Sequence, residues 1–411
     1  MKLTWIWKLA VLFQVSGVTL GAEKLQSYNV DRSTITISGL SSGGAIAMQY
    51  HVAFSSEIKG AAIFAGVPFG CYKVNYCMYA STVIVSNLAK DITDLATANK
   101  IDNPRNLNGT KVFVFHGTRD TTVDPAFGRK LEQLYQVFGG VTKNEYTIGA
   151  VHGFPTNFYG APCGSSSAAT YYINNCNYHG SNIAMNHLLG GSFAPPASSA
   201  AGQLLQYDQT EFGGSAVSSM DSTGFVYIPT GCQDKTRQCK LHIAFHGCAQ
   251  SKTNLNDIYA RKIGMLEVAE ANNIIVLFPQ AAPNILVGNP NACWDWWGYL
   301  GANFLNKDGA QMKAVHAMQL RVSNCEQSTG CNPSVTEPPV TGGPTASTGA
   351  PRECEDNTVE FRPFPGDCRY YTLCACGTSV LLECASGLYF DPVIGKCNFM
   401  QLVPGCDANL S

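Results

Sequence analysis

The chain has 411 residues, 45% of them hydrophobic, with 27 Lys and Arg against 29 Asp and Glu. That composition supports a sizeable core plus something smaller and excludes a wholly disordered protein. A formal charge of −2 without long basic runs leaves no electrostatic footprint for nucleic acid or an anionic membrane, so neither is expected as a partner.

Residues 1–22, MKLTWIWKLAVLFQVSGVTLGA, join Lys2 and Lys8 to an apolar stretch through Val18 and end in small residues. This is read as a secretory signal cut near Ala22, too short for a membrane span, and no later stretch is long and apolar enough to anchor the chain. The 17 cysteines then fit disulfides in an oxidising, extracellular compartment. Asn108-Gly-Thr is a glycosylation acceptor pattern, and Asn409-Leu-Ser is formally another at the chain end.

Short β-rich runs are expected over 34–38, 61–65, 111–115, 145–148, 224–228, 240–245 and 274–278. Helical segments are expected over 45–54 and 127–138, and the alternation predicts an α/β sheet domain across residues 23–331. A further helix is expected from Asp308, capped by that side chain with Gln311 reaching back, and with Met312, Val315 and Met318 or Gln319 along one face. Residues 332–353, rich in Pro, Thr, Gly and Ser, read as an extended linker. The linker leaves ten cysteines before it and seven after it, which predicts two separately stapled domains.

The stretch Gly39-Leu40-Ser41-Ser42-Gly43 follows an expected strand and precedes an expected helix, the context of a nucleophile elbow. Ser41 is then the central serine, and the amide of Ser42 faces the oxyanion; a plain glycine-serine turn is the bland alternative. KVFVFHG runs into a loop with Asp120 and Asp124, where α/β active sites collect. Asp120 is the chosen acid and Asp124 the alternate, while either alone also suits an Asx turn. Among eight histidines, His152 is placed to complete the order Ser, Asp, His, taking the Ser41 proton while Asp120 holds its tautomer. Ser41 lies early in the chain, so the strands that normally precede a nucleophile must follow His152, and the domain reads as circularly permuted. The loop His246-Gly247-Cys248 then falls where the second oxyanion donor belongs, with the Cys248 amide as candidate. A structural half-cystine is the other reading, and both can hold.

SGLSSGG, AGVPFGC at 65–71, HGTRDTTVDP, VHGFPT, HGCAQ and NACWDWWGY together resemble secreted poly(3-hydroxybutyrate) depolymerases of the circularly permuted α/β-hydrolase type, over roughly residues 28–325. The resemblance implies Ser41, Asp120 and His152 as triad, the amides of Ser42 and Cys248 as oxyanion hole, and a Cys248–Cys293 disulfide. It also places Trp294, Trp296 and Trp297 against a polyester chain, although one or two of these could simply be core. Pairs Cys232–Cys239 and Cys325–Cys331 are guesses from proximity in sequence. Esterases that release feruloyl or acetyl groups from polysaccharides share this kind of domain, so an acylated-polysaccharide esterase is the competing enzyme. A non-catalytic chitin-binding matrix protein is the alternative from another class. No His-Glu-x-x-His and no phosphate-binding glycine loop occurs, so no metal or cofactor is expected.

Residues 354–411 hold cysteines at 354, 368, 374, 384, 397 and 406, and a segment of about fifty residues needs such staples. DCRYYTLC and CASGLYFD resemble the peritrophin-type chitin-binding module, a small disulfide-rich, mainly β fold whose exposed aromatics stack on sugars. Phe361, Phe364, Tyr370, Tyr371, Tyr389 and Phe390 are its aromatics, and Cys376 departs from the pattern as a seventh cysteine.

Overall fold

The computed structural model describes residues 22–323 except 74–76, 166–170, 192 and 216, and beyond them 360–363, 368–375, 378–384, 388–392, 396–399 and 403. The expected signal before Ala22, the linker, the Cys325–Cys331 pair, Cys376 and Asn409 lie outside the described residues.

Strands β1 (Thr36–Leu40), β2 (Gly60–Phe64), β3 (Lys111–Phe115) and β4 (Val141–Glu145) come first, with helices α1 (Ser42–Ala53), α2 (Val85–Thr97) and α3 (Ala126–Val137) between them. A small three-stranded sheet comes next, β5 (Phe154–Thr156), β6 (Ala161–Pro162) and β7 (Ile173–Asn175), then α4 (Gly180–Leu189). The domain continues with β8 (Gln203–Asp208), β9 (Thr223–Ile228), β10 (Lys240–Phe245), α5 (Lys252–Leu255), α6 (Ile258–Lys262), α7 (Met265–Asn272), β11 (Ile274–Phe278) and α8 (Ala310–Val322).

The main sheet runs β4-β3-β2-β1-β10-β11-β9-β8. Pairings from β4 to β11 are parallel, with Gly39 opposite Phe245 and Ile63, while β9 joins β11 and β8 antiparallel. The late strands β8–β11 therefore occupy the side of β1 that a nucleophile strand normally inherits from earlier strands, which is the circular permutation expected of the α/β-hydrolase.

Side-chain alternation splits the interior in two. Ile37, Ile63, Val112, Ile243 and Leu277 point to one face beneath α1, α2, α3 and α8; Leu40, Phe64, Phe113, Ala244 and Val276 point to the other, beneath α4, α6 and α7. All twelve residues of α1 are buried, so this helix carries no solvent-facing polar stripe.

Several expectations shift. β4 lies at 141–145, earlier than expected, because it is the sheet edge and only half-buried at best, so no apolar alternation marks it. The helix α8 starts at Ala310 with Gly309 as its cap, not Asp308. Asp308 turns instead to Lys100, 2.8 Å away, and Gln311 is buried, receiving the Asp295 amide at 2.8 Å. An ion pair and a buried polar partner have displaced the capping box.

Disulfides close short loops or join distant ones at Cys71–Cys77, Cys163–Cys176, Cys232–Cys239 and Cys248–Cys293. Toward the chain end the described pieces are antiparallel: β12 (Glu360–Pro363), β13 (Tyr370–Ala375) and β14 (Thr378–Glu383), and the hairpin β15 (Leu388–Asp391) with β16 (Lys396–Phe399). Tyr371 and Phe390 are buried and stack at 4.5 Å, so these two rings are core and not sugar platforms; Tyr370 and Tyr389 stay half-buried. The Tyr371 hydroxyl donates to Ser86 Oγ on α2 at 2.5 Å.

Candidate active site

Ser41 sits between β1 and α1 at φ +57°, a left-handed value that costs a non-glycine residue energy and recurs at nucleophile elbows. The glycines around it are required by contact. A Cβ on Gly39 would lie 2.0 Å from the Gly43 carbonyl oxygen, and one on Gly43 would lie 2.3 Å from that of His246. Ser42 is the first residue of α1, so its N–H is one of those a helix start leaves without an intrahelical partner. Its Oγ lies 3.4 Å from the Trp294 amide.

Asp120 and His152 are brought together. Both are buried, and His152 Nδ1 lies 2.7 Å from Asp120 Oδ2. The other oxygen, Oδ1, accepts the amides of Thr122 at 2.8 Å and Val123 at 2.9 Å. Burial alone would raise the Asp120 carboxyl, but hydrogen bonds from His116, His152 and Val123 outweigh it and hold the group well below the usual carboxylate range. Asp124 does not join them: it is exposed and its Oδ1 accepts the Ala126 amide at the start of α3.

His152 is fixed by its neighbours on both sides. A Cβ on Gly153 would meet Asn174 Oδ1 at 1.9 Å, β5 pairs with β7, and the Val151 amide donates to the carbonyl of Cys163, a member of the Cys163–Cys176 bridge. Tyr172 presents its ring edge to His152 at 6.0 Å.

The loop after β10 closes against Ser41, since a Cβ on Gly247 would lie 3.4 Å from Ser41 Cβ. Within this loop the Gly247 amide is engaged by Gln250 Oε1 at 2.8 Å, which removes it as a rival oxyanion donor. The His246 ring donates from Nδ1 to the Gly247 carbonyl at 2.7 Å and accepts the Ala281 amide on Nε2 at 3.1 Å. Burial lowers this histidine to about 4, keeping it neutral. The Cys248–Cys293 bridge then ties the loop to the tryptophan segment.

A cavity of about 460 Å³ opens over these parts, lined by Ser41, Ser42, Thr122, Cys248, Trp296 and Trp297 among others. Met78, 63% exposed, lines it as well. Trp294 is a correction: it is fully buried, packed edge-on to Phe245 at 5.1 Å and beside His246 at 5.4 Å, so it forms core and cannot touch a substrate. Between the tryptophans, Asp295 accepts the amides of Gly298, Tyr299 and Leu300 at 2.7, 3.0 and 3.1 Å, curling the segment that carries Trp296 and Trp297. Burial raises this carboxyl to about 6 in spite of those amides. His116, Gln250 and Asp295 lie inside HGTRDTTVDP, HGCAQ and NACWDWWGY, but the motif-based reading does not single them out, and nothing in the sequence distinguishes an amide-collecting aspartate from a surface one.

A polyhydroxybutyrate depolymerase of Talaromyces funiculosus is 34% identical over 324 residues, which span 75% of this chain and 95% of the relative. The chain belongs to the polyhydroxybutyrate depolymerase family. It is thus a carboxylic ester hydrolase by descent. A poly(3-hydroxybutyrate) depolymerase of Delftia acidovorans is 35% identical over 350 residues, 81% of this chain and 69% of that protein. Among solved structures, a serine-to-alanine PHB depolymerase complexed with an R3HB trimer superposes with a TM-score of 0.69 at 32% identity, covering 74% of this chain and 100% of that one. The PHB depolymerase of Penicillium funiculosum gives a TM-score of 0.68 at 32% identity, with the same coverage. Residues 354–406 match the Chitin binding Peritrophin-A domain.

Proposed function

We propose that this chain is a secreted serine esterase that hydrolyses poly(3-hydroxybutyrate) or related short-chain polyhydroxyalkanoates through an acyl-enzyme on Ser41. One observation carries the reading: Asp120, paired with the buried His152, belongs to the loop whose Thr122 lines the same cavity as Ser41 at its elbow. With Nδ1 held by Asp120, His152 takes the Ser41 proton on Nε2 while Oγ attacks the ester carbonyl, then returns it to the leaving alkoxide. The amides of Ser42 and Cys248 receive the oxyanion. Water repeats the sequence to release the acid and restore Ser41. Trp296 and Trp297 offer flat apolar wall to a methyl-bearing chain.

Substrate is argued from kinship, since the matched relatives are named for polyhydroxybutyrate and one solved neighbour holds an R3HB trimer. Secretion, cleavage near Ala22 and glycosylation at Asn108 follow from the N-terminal reading and from bridges that an oxidising compartment sustains. We take residues 23–331 as the catalytic domain, 332–353 as linker and 354–411 as a module that holds the enzyme on chitin or a similar polysaccharide.

Labelling the full chain with a fluorophosphonate tests the nucleophile. The expected result is one stoichiometric adduct on the peptide containing Ser41, absent in Ser41→Ala and in the denatured protein. An adduct on another serine would refute the triad.

A further inference from the structure

Asp120 receives two imidazoles, and the triad accounts for only one. His116, at the end of β3, is buried; its Nε2 lies 3.0 Å from the Val123 carbonyl and 3.3 Å from Asp120 Oδ2. A carbonyl oxygen can only accept, so Nε2 carries the hydrogen and offers it between that carbonyl and the carboxylate. The opposite nitrogen, Nδ1, is buried without a hydrogen-bond partner, as suits the unprotonated side of a neutral ring. Room for the ring comes from α3, where a Cβ on Gly128 would lie 2.9 Å from Tyr146 Cε1 and 3.4 Å from His116 Nδ1.

We propose that His116 is a positioning residue for the hydrolysis, a second donor that clamps the 120–123 loop and shares the Asp120 carboxylate with His152, thereby setting how strongly that carboxylate supports the catalytic imidazolium. The proposal rests on the triad of Ser41, Asp120 and His152. Its consequence has a sign. A carboxylate oxygen that serves two N–H donors stabilises each less than it would serve one, so His116 draws on the support that Asp120 gives His152. The titratable groups around this ring are Asp120, His152 and, across Gly128, Tyr146, whose hydroxyl donates to Glu132 at 3.1 Å and whose ring lies under Arg129. Removing the His116 donor therefore leaves the Asp120 carboxylate to His152 alone, and also loosens the loop.

The test uses the full chain with His116→Phe, which fills the space without a donor, and His116→Gln, which restores one. Hydrolysis of p-nitrophenyl butyrate is followed against pH, with rates divided by sites titrated with fluorophosphonate. In His116→Phe, kcat per titrated site is expected to fall about tenfold or more, the order of one lost bond to a charged group, with KM little changed. The acid limb of kcat is expected at higher pH, and His116→Gln is expected to recover part of both. A kcat per site that is unchanged, or that falls with an unmoved limb, would overturn the proposal while leaving the triad standing. Hydrolysis that survives in Ser41→Ala would remove the triad and this proposal with it. Should His116→Phe not fold, ¹⁵N-histidine spectra of the wild-type chain decide: a neutral ring with hydrogen on Nε2 is expected, and hydrogen on Nδ1 would rule the donor out.

Discussion

His152 Nδ1 stands 2.7 Å from Asp120 Oδ2, with the other Asp120 oxygen already holding the amides of Thr122 and Val123. Replacing this acid with its amide therefore puts an N–H donor or the wrong tautomer against the ring. Asp120→Asn is expected to lower kcat on a soluble butyrate ester by about a thousandfold or more with KM little changed. Steady-state kinetics check it, and a loss confined to KM would contradict the assigned role.

Acid should destabilise this fold earlier than carboxylate titration alone would. Burial lowers His51 and His242 to about 3 and His246 to about 4 from an ordinary 6.5. Between about 6.5 and about 4 the unfolded chain binds more protons at these rings than the folded one, so stability rises with pH there and is lost as pH falls. Asp295, raised from 3.8 to about 6, acts with the opposite sign, but it is one group against three. Asp120 is depressed, so its contribution is lost only below the ordinary carboxylate range. Urea midpoints at pH 7 and pH 5 are expected to differ clearly, with pH 7 the higher; equal midpoints would refute the neutral buried rings.

The Cys248–Cys293 bridge closes 45 residues and anchors the loop that presents the Cys248 amide. Cys248→Ser with Cys293→Ser is expected to cost about 2–4 kcal/mol by denaturant titration. It is also expected to lower kcat more than KM, because the proposed oxyanion donor loses its anchor.

Asp295 gathers three amides without lining the cavity, so its effect should reach substrate through Trp296 and Trp297. Asp295→Asn offers a weaker acceptor and one donor facing donors. An increase of about tenfold in KM for short hydroxybutyrate oligomers is expected, with a smaller change in kcat. A kcat defect without a KM change would mean the segment serves the chemistry and not binding.

The parts legible in the sequence are those where one force dominates. β3, β10 and β11 fall on the expected residues because their runs are apolar and bounded by turns, and every residue but the first of β3 and β10 is buried. Helix α2 went unread although Val85, Leu88, Ala89 and Ile92 carry its buried stripe, a periodic signal that was available. The place of Ser41 is legible because close contact permits only glycine at 39 and 43. Trp294 and Trp296 look alike in sequence, yet one packs on Phe245 and the other faces the cavity, a difference set by packing between distant strands. His116 and Gln250 stand inside HGTRDTTVDP and HGCAQ, but they bind backbone groups of loops, and their residue types do not say which groups those are.

The most direct measurement is release of soluble 3-hydroxybutyrate from amorphous polyhydroxybutyrate particles by the purified full chain, beside Ser41→Ala and beside an acetylated or feruloylated polysaccharide. Release from the polyester that disappears in Ser41→Ala is the predicted result. Ser41-dependent release from the polysaccharide alone, or no release from any ester, would contradict the account.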